Sequence, residues 1–86
     1  MKVLLTDDSS TMRKIQKRVL SGMGIEDVLE ASNGKEALDL IAQHKFDFVL
    51  LDVNMPEMNG METLKAIRSN PDTAKLPVIM CTSVAD

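Results

Sequence analysis

"KFDFVLLDVNMPEMNG", Lys45–Gly60, decides how this chain is read. Its first half is an apolar, β-prone run interrupted once, at Asp47, and it ends on a second carboxylate, Asp52, before a loop rich in Pro, Asn and Gly. The apolar residues of "DFVLL" (Asp47–Leu51) do not alternate with polar ones, which suits a strand covered on both faces. A carboxylate at the end of such a strand is costly unless something neutralises it. The chemistry therefore turns on what meets Asp52.

Working outward, "KVLLT" (Lys2–Thr6) is a second short apolar run, and it also stops at acids, Asp7 and Asp8. "DVLEA" (Asp27–Ala31) and "VIMCTS", from Val78, are two more strand candidates. Between them lie three amphipathic segments. "TMRKIQKRVLSGMG" carries Met12, Ile15, Val19 and Met23 at helical spacing, with Gly22 and Gly24 as stop signals. "SNGKEALDLIAQHK" places Ala37, Leu38 and Ile41 on one side, and "METLKAIRS" does the same with Met61, Leu64 and Ile67. The order β-α-β-α-β-α-β predicts a doubly wound parallel α/β sheet with right-handed crossovers and helices on both faces. One domain is expected over residues 1–86, with no repeat or interdomain linker.

Composition narrows the function. A net charge of −3, two phenylalanines and no Trp or Tyr give little support for binding nucleic acid. One cysteine, Cys81, excludes an intrachain disulfide and a cysteine-based zinc site, and it reads as a small buried hydrophobe. No apolar run approaches the ~20 residues that span a bilayer, and no signal-peptide pattern opens the chain, so a reducing cytoplasm is the expected home. Met12, Met23, Met61 and Met80 are expected to fill the core, and Met55 and Met58 to line a loop. His44 is assigned no role. Arg13, Lys14, Lys17 and Arg18 make a basic stretch on the first helix, normally a solvated face.

Parallel sheets of this kind build their sites outside the carboxyl ends of the strands. Asp7 and Asp8 follow the first strand, Asp52 the third, and Thr82 and Ser83 the fourth. Three converging acids raise one another's pKa values, and a hard cation relieves them. Mg²⁺ takes oxygen ligands and keeps several waters. One of the acids could then attack phosphorus as a nucleophile. An aspartate-nucleophile phosphatase is disfavoured because Asn54, two residues after Asp52, cannot act as a general acid. An EF-hand calcium loop starting at Asp52 fails because Glu57 stands where the turn glycine must be.

"LLTDDSSTMRKI", "VLEASNGKEAL", "VLLDVNMPEMNG" and "LPVIMCTS" together resemble the receiver domain of two-component response regulators. The likeness runs from Met1 to about Ala85 and is nearest to the stand-alone CheY-type chemotaxis regulators. It implies a flavodoxin-like fold with strand order 2-1-3-4-5. By the same resemblance Asp52 would be the phosphoacceptor. Mg²⁺ would be held by Asp8, by Asp7 largely through water, by Asp52 and by the Asn54 backbone carbonyl. Thr82 would be the switch hydroxyl, and Val84 would sit where the family varies its dephosphorylation rate. Pro56 and Gly60 would shape the loop into the third helix. The implied partners are a histidine kinase as phosphodonor, with the first helix as a docking candidate, and a downstream protein target such as the flagellar motor switch. The chain would catalyse only its own phosphorylation and dephosphorylation.

The resemblance also implies a fourth helix, a fifth strand carrying a lysine, and a fifth helix, none of which these 86 residues contain. The expectation is therefore a receiver ending after its fourth strand, whether as part of a longer chain or as an edge-paired or swapped homodimer. A receiver that docks partners or dimerises without phosphorylation is the alternative.

Overall fold

The computed structural model describes residues 1–55 and 58–81. Among the described residues, four strands, β1 (Lys2–Thr6), β2 (Asp27–Ala31), β3 (Phe48–Asp52) and β4 (Val78–Cys81), alternate with three helices, α1 (Ser10–Gly22), α2 (Gly34–Gln43) and α3 (Gly60–Ser69). All pairings are parallel, in the order β2-β1-β3-β4. This is the order the resemblance implied, and it sets β1 beside β3 at the centre of the sheet.

The central strands are apolar on both faces because each face has its own core. Leu4, Val49 and Leu51 point toward α2 and α3, where they pack with Ala31, Ala37, Phe46 and Met55. Val3 and Leu5 point the other way, toward Leu20 of α1, and Phe48 and Leu50 pack against that cluster. Each helix starts at a polar cap: the side chains of Ser9, Asn33 and Asn59 accept N–H bonds from Met12, Glu36 and Glu62. Asn59 and Glu62 form a reciprocal capping box, which fixes where α3 leaves the β3 loop.

Four expectations are corrected. β3 begins one residue later than read, at Phe48, and takes in Asp52, which pairs with Cys81. Asp47 instead bonds the backbone of Lys2, through its own N–H to the Lys2 carbonyl (2.7 Å) and its carboxylate from the Lys2 N–H (2.6 Å). Met12, Met23 and Met61 do not fill the core: they are 39%, 68% and 58% exposed. Ile15 and Val19 are exposed with them, and α1 buries Leu20 in their place. The cause is the rotation of α1 about its own axis. Arg13 and Lys17 bind Glu30 on β2, at the left end of the sheet order. At roughly 100° per residue, the Met12–Val19–Met23 arc then falls on the opposite flank of Leu20 from Arg13 and Lys17. Met55, assigned to loop lining, is buried in the α2–α3 core, and Cys81 is half-buried rather than buried. Met80 packs against the core as expected.

Candidate functional site

β1 and β3 are parallel neighbours with Thr6 beside Leu51, so the residues that follow, Asp7 and Asp52, emerge together at the carboxyl edge of the sheet. One carboxylate oxygen each of Asp7, Asp8 and Asp52 lies within 4.8 Å of the other two. Asp7 and Asp52 are 5% and 3% exposed, whereas Asp8 is open to solvent. The turn holds them in place. The Asp7 N–H donates to the Ala31 carbonyl of β2 (3.1 Å), and its carboxylate accepts the Ser9 N–H (2.9 Å). The Asp52 carboxylate accepts the Asn54 N–H at 3.3 Å. Val53 N–H donates to the Cys81 carbonyl, and Gly60 N–H donates back to Val53. Gly60 lies flat against the Asp52–Val53 backbone, where a Cβ would stand 2.8 Å from the Val53 Cα.

Burial pushes the Asp7 carboxyl above the ordinary range. The Ser9 N–H partly offsets this, and the charges of Asp52 and Asp8 push further upward. The Cys81 thiol is raised in the same way, by burial first and then by Asp52 and Asp7. Among the described residues, no ammonium or guanidinium is in ion-pair contact with these three acids: the ion pairs are those of Arg13 and Lys17 with Glu30. Lys2 is at the other end of β1, 3.0 Å from His44 Nδ1, which removes both from the acidic edge. A compact, all-oxygen, uncompensated anionic set of this kind fits a hard divalent cation such as Mg²⁺.

The structure thus brings together Asp7, Asp8 and Asp52, with Asn54 at the lip. Thr82, Ser83, Val84 and Pro56 lie outside the described residues. Sequence reading missed the roles of two residues beside the site. Thr6, at 1% exposure, has no hydrogen-bond partner for its hydroxyl among the described residues. Arg13 donates an Nη1–H to the backbone carbonyl of Asp7.

A parallel sheet in this order, with paired acids at the ends of β1 and β3, defines a receiver-type fold. The model of the response regulator receiver domain family matches residues 3–86, and the chain belongs to that family. It is similar to a chemotaxis protein CheY homolog of Campylobacter jejuni, at 49% identity over 96% of this chain and 65% of that protein. Among solved structures it is similar to Vibrio cholerae chemotaxis protein CheY4, with TM-score 0.87 and 38% identity over 99% of this chain and 70% of that one. It also matches the signal receiver domain of a signal transduction histidine kinase from Syntrophus aciditrophicus, with TM-score 0.91 and 30% identity over 99% of this chain and 64% of that one. The chain spans about two thirds of the length of the curated relatives it matches. No helix among the described residues is long and apolar enough to cross a membrane.

Proposed function

We propose that this chain is the phosphoryl-accepting receiver of a cytoplasmic two-component pathway of the chemotaxis type. The carrying observation is the Asp7–Asp8–Asp52 set, with ligand atoms within 4.8 Å of one another and two of the three acids buried. Asp52 is the nucleophile: a carboxylate oxygen bonds to phosphorus as the bond from phosphorus to the imidazole nitrogen of a histidine kinase breaks, and the freed nitrogen takes up a proton. Asp52 suits this role because β3 and the Asn54 N–H hold its carboxylate at the sheet edge, next to its acidic neighbours. Asp8, Asp52 and the Asn54 carbonyl would hold Mg²⁺, with Asp7 acting through water. The ion would supply countercharge for the transferring oxygens. Asp7, buried and tied to Ser9 and Ala31, orients the turn that carries Asp8. Thr82 is assigned the switch hydroxyl, and a downstream protein such as the flagellar motor switch is assigned as the reader. The chain catalyses only the gain and loss of its own phosphoryl group.

Incubation with acetyl phosphate and Mg²⁺ tests this. The wild type should gain a base-labile phosphate that depends on Mg²⁺, and Asp52→Asn should not. If no adduct forms at any Mg²⁺ concentration, the reading is wrong.

One observation favours the second reading, a phosphorylation-independent dimerisation module. On the α1 side of the sheet, Met12, Ile15, Val19 and Met23 are exposed alongside Ile79, which is 51% exposed on β4, the outermost strand among the described residues. Register places Ile79 beside Leu50, which packs against the cluster containing Leu20 of α1, so the exposed apolar residues of α1 and β4 lie on the same side of the sheet.

A further inference from the structure

Asp8 is the least constrained of the three acids. It is exposed, and it hangs from a single turn between β1 and α1. Its peptide N–H and the carbonyl of Asp7 belong to one rigid plane, so whatever fixes that carbonyl also fixes the direction in which Asp8 leaves the chain. Arg13 fixes it. One turn into α1, its guanidinium donates Nη1–H to the Asp7 carbonyl, and its Nε–H donates to Glu30 Oε1 at 3.0 Å. Glu30 is the residue before Ala31, whose own carbonyl accepts the Asp7 N–H. Asp7 is thus held by β2 from both ends of its backbone, directly through its N–H and through Arg13 at its carbonyl.

The anchor is itself braced. Lys17, one helical turn beyond Arg13, donates to the second oxygen of Glu30 at 3.3 Å. The Arg13 side chain is 16% exposed, against 51% for Lys17, so Arg13 is the inner member of the pair. The two bonds require both the length and the fork of a guanidinium, and a lysine in its place could satisfy only one of them. The bridge has a second consequence. A guanidinium six residues from Asp7 is a natural partner for the acidic set, and Glu30 holds it on the β2 side, away from the carboxylates.

We propose that Arg13, held by Glu30, is a positioning residue for divalent-cation binding at the acidic edge, setting the Asp7–Asp8 peptide so that Asp8 faces the ion. This rests on the reading of Asp7, Asp8 and Asp52 as a Mg²⁺ site. Residues in this outer position alter metal affinity by roughly 10-fold or more when removed.

Titration calorimetry of the 86-residue chain with Mg²⁺ alone tests the assignment, run on wild type, Asp8→Asn, Arg13→Ala, Arg13→Lys, Glu30→Gln and the Arg13→Ala/Glu30→Gln pair. Metal-free melting curves establish that each variant is folded at the titration temperature. Arg13→Ala should weaken Mg²⁺ binding by about 10-fold. Arg13→Lys, which keeps the charge and most of the stem, should fall between. Glu30→Gln should weaken it in the wild-type background and do nothing further once Arg13 is gone. A folded Arg13→Ala or Arg13→Lys variant that binds Mg²⁺ as wild type does would overturn the inference and leave the acidic site intact, since a merely structural arginine would move the melting curve alone. A wild type that does not bind Mg²⁺, or an Asp8→Asn variant that binds it unchanged, would overturn the site reading and the inference with it.

Discussion

Gly60→Ala puts the geometry of the site under direct strain. Gly60 opens α3 with its Cα against the end of β3. The three atoms nearest to a Cβ built there are all backbone: the Asp52 carbonyl oxygen most closely, the Val53 Cα at 2.8 Å and the Asp52 carbonyl carbon at 3.0 Å. Ordinary contacts for a Cβ begin near 3.4 Å, so at the Val53 Cα alone something must retreat by roughly 0.6 Å. Because these nearest atoms are backbone rather than the end of a side chain, the shift falls on the first turn of α3 or on the segment that carries Asp52. Overpacking of this kind costs about 1–3 kcal/mol. The better helix propensity of alanine returns at most about 1 kcal/mol, and less at the first helical position. The net loss is about 1–2 kcal/mol, which in a domain of this size lowers Tm by roughly 5–15 °C. Circular dichroism is the suitable probe, because the chain has no Trp or Tyr. The displacement should also slow phosphorylation of Asp52 by about 10-fold or more. Gly22→Ala is the matched control: its Cβ meets nothing within 4 Å in the last turn of α1, so it should be neutral or stabilising by up to about 1 kcal/mol. Wild-type stability in Gly60→Ala, or a larger loss in Gly22→Ala, would refute the packing argument.

Asp7→Asn should stabilise the metal-free protein at neutral pH, because burial and the charges of Asp52 and Asp8 raise the Asp7 pKa. The stability that a raised carboxyl contributes is complete below its unfolded value, near 3.8, and is lost as pH rises through the folded value. Melting curves in chelator across pH should therefore show wild type declining where Asp7→Asn does not; parallel curves would contradict this. Thr6→Val removes a fully buried hydroxyl that has no partner among the described residues, and should raise stability by about 1 kcal/mol in urea titrations; a loss would mean that the hydroxyl is satisfied. If the exposed apolar face pairs with a second copy, sedimentation should show concentration-dependent association that Val19→Lys abolishes, whereas a monomer at every concentration would dispose of the dimer reading.

The sheet was legible because its strands are short apolar runs bounded by acids, turns and proline, and because β3 lacks alternation as a strand covered on both sides should. The site was legible for a related reason: in a parallel sheet, the residue after the last apolar position of each strand lands on one edge, so Asp7, Asp8 and Asp52 could be placed together without coordinates. The seating of α1 could not be read. Periodicity identifies the stripe through Met12, Ile15, Val19 and Met23, but which flank of it meets the sheet depends on tertiary contacts, the packing of Leu20 and the bonds of Arg13 and Lys17 to Glu30 13–17 residues away. The same contact hid the bond of Arg13 to the Asp7 carbonyl, since a backbone acceptor leaves no mark in the side-chain pattern. Gly60 was read as a loop-shaping residue, and its distinctive feature, flat contact with the Asp52–Val53 backbone, exists only once α3 is docked.

The most direct test of the account is to locate the phosphoryl group. The chain is treated with acetyl phosphate and Mg²⁺, the acyl phosphate is reduced with borohydride, and the peptides are read by tandem mass spectrometry. Homoserine is expected in place of Asp52, with Asp7 and Asp8 unmodified. Reduction at Asp7 or Asp8, or Mg²⁺-independent labelling spread over many acids, would contradict it.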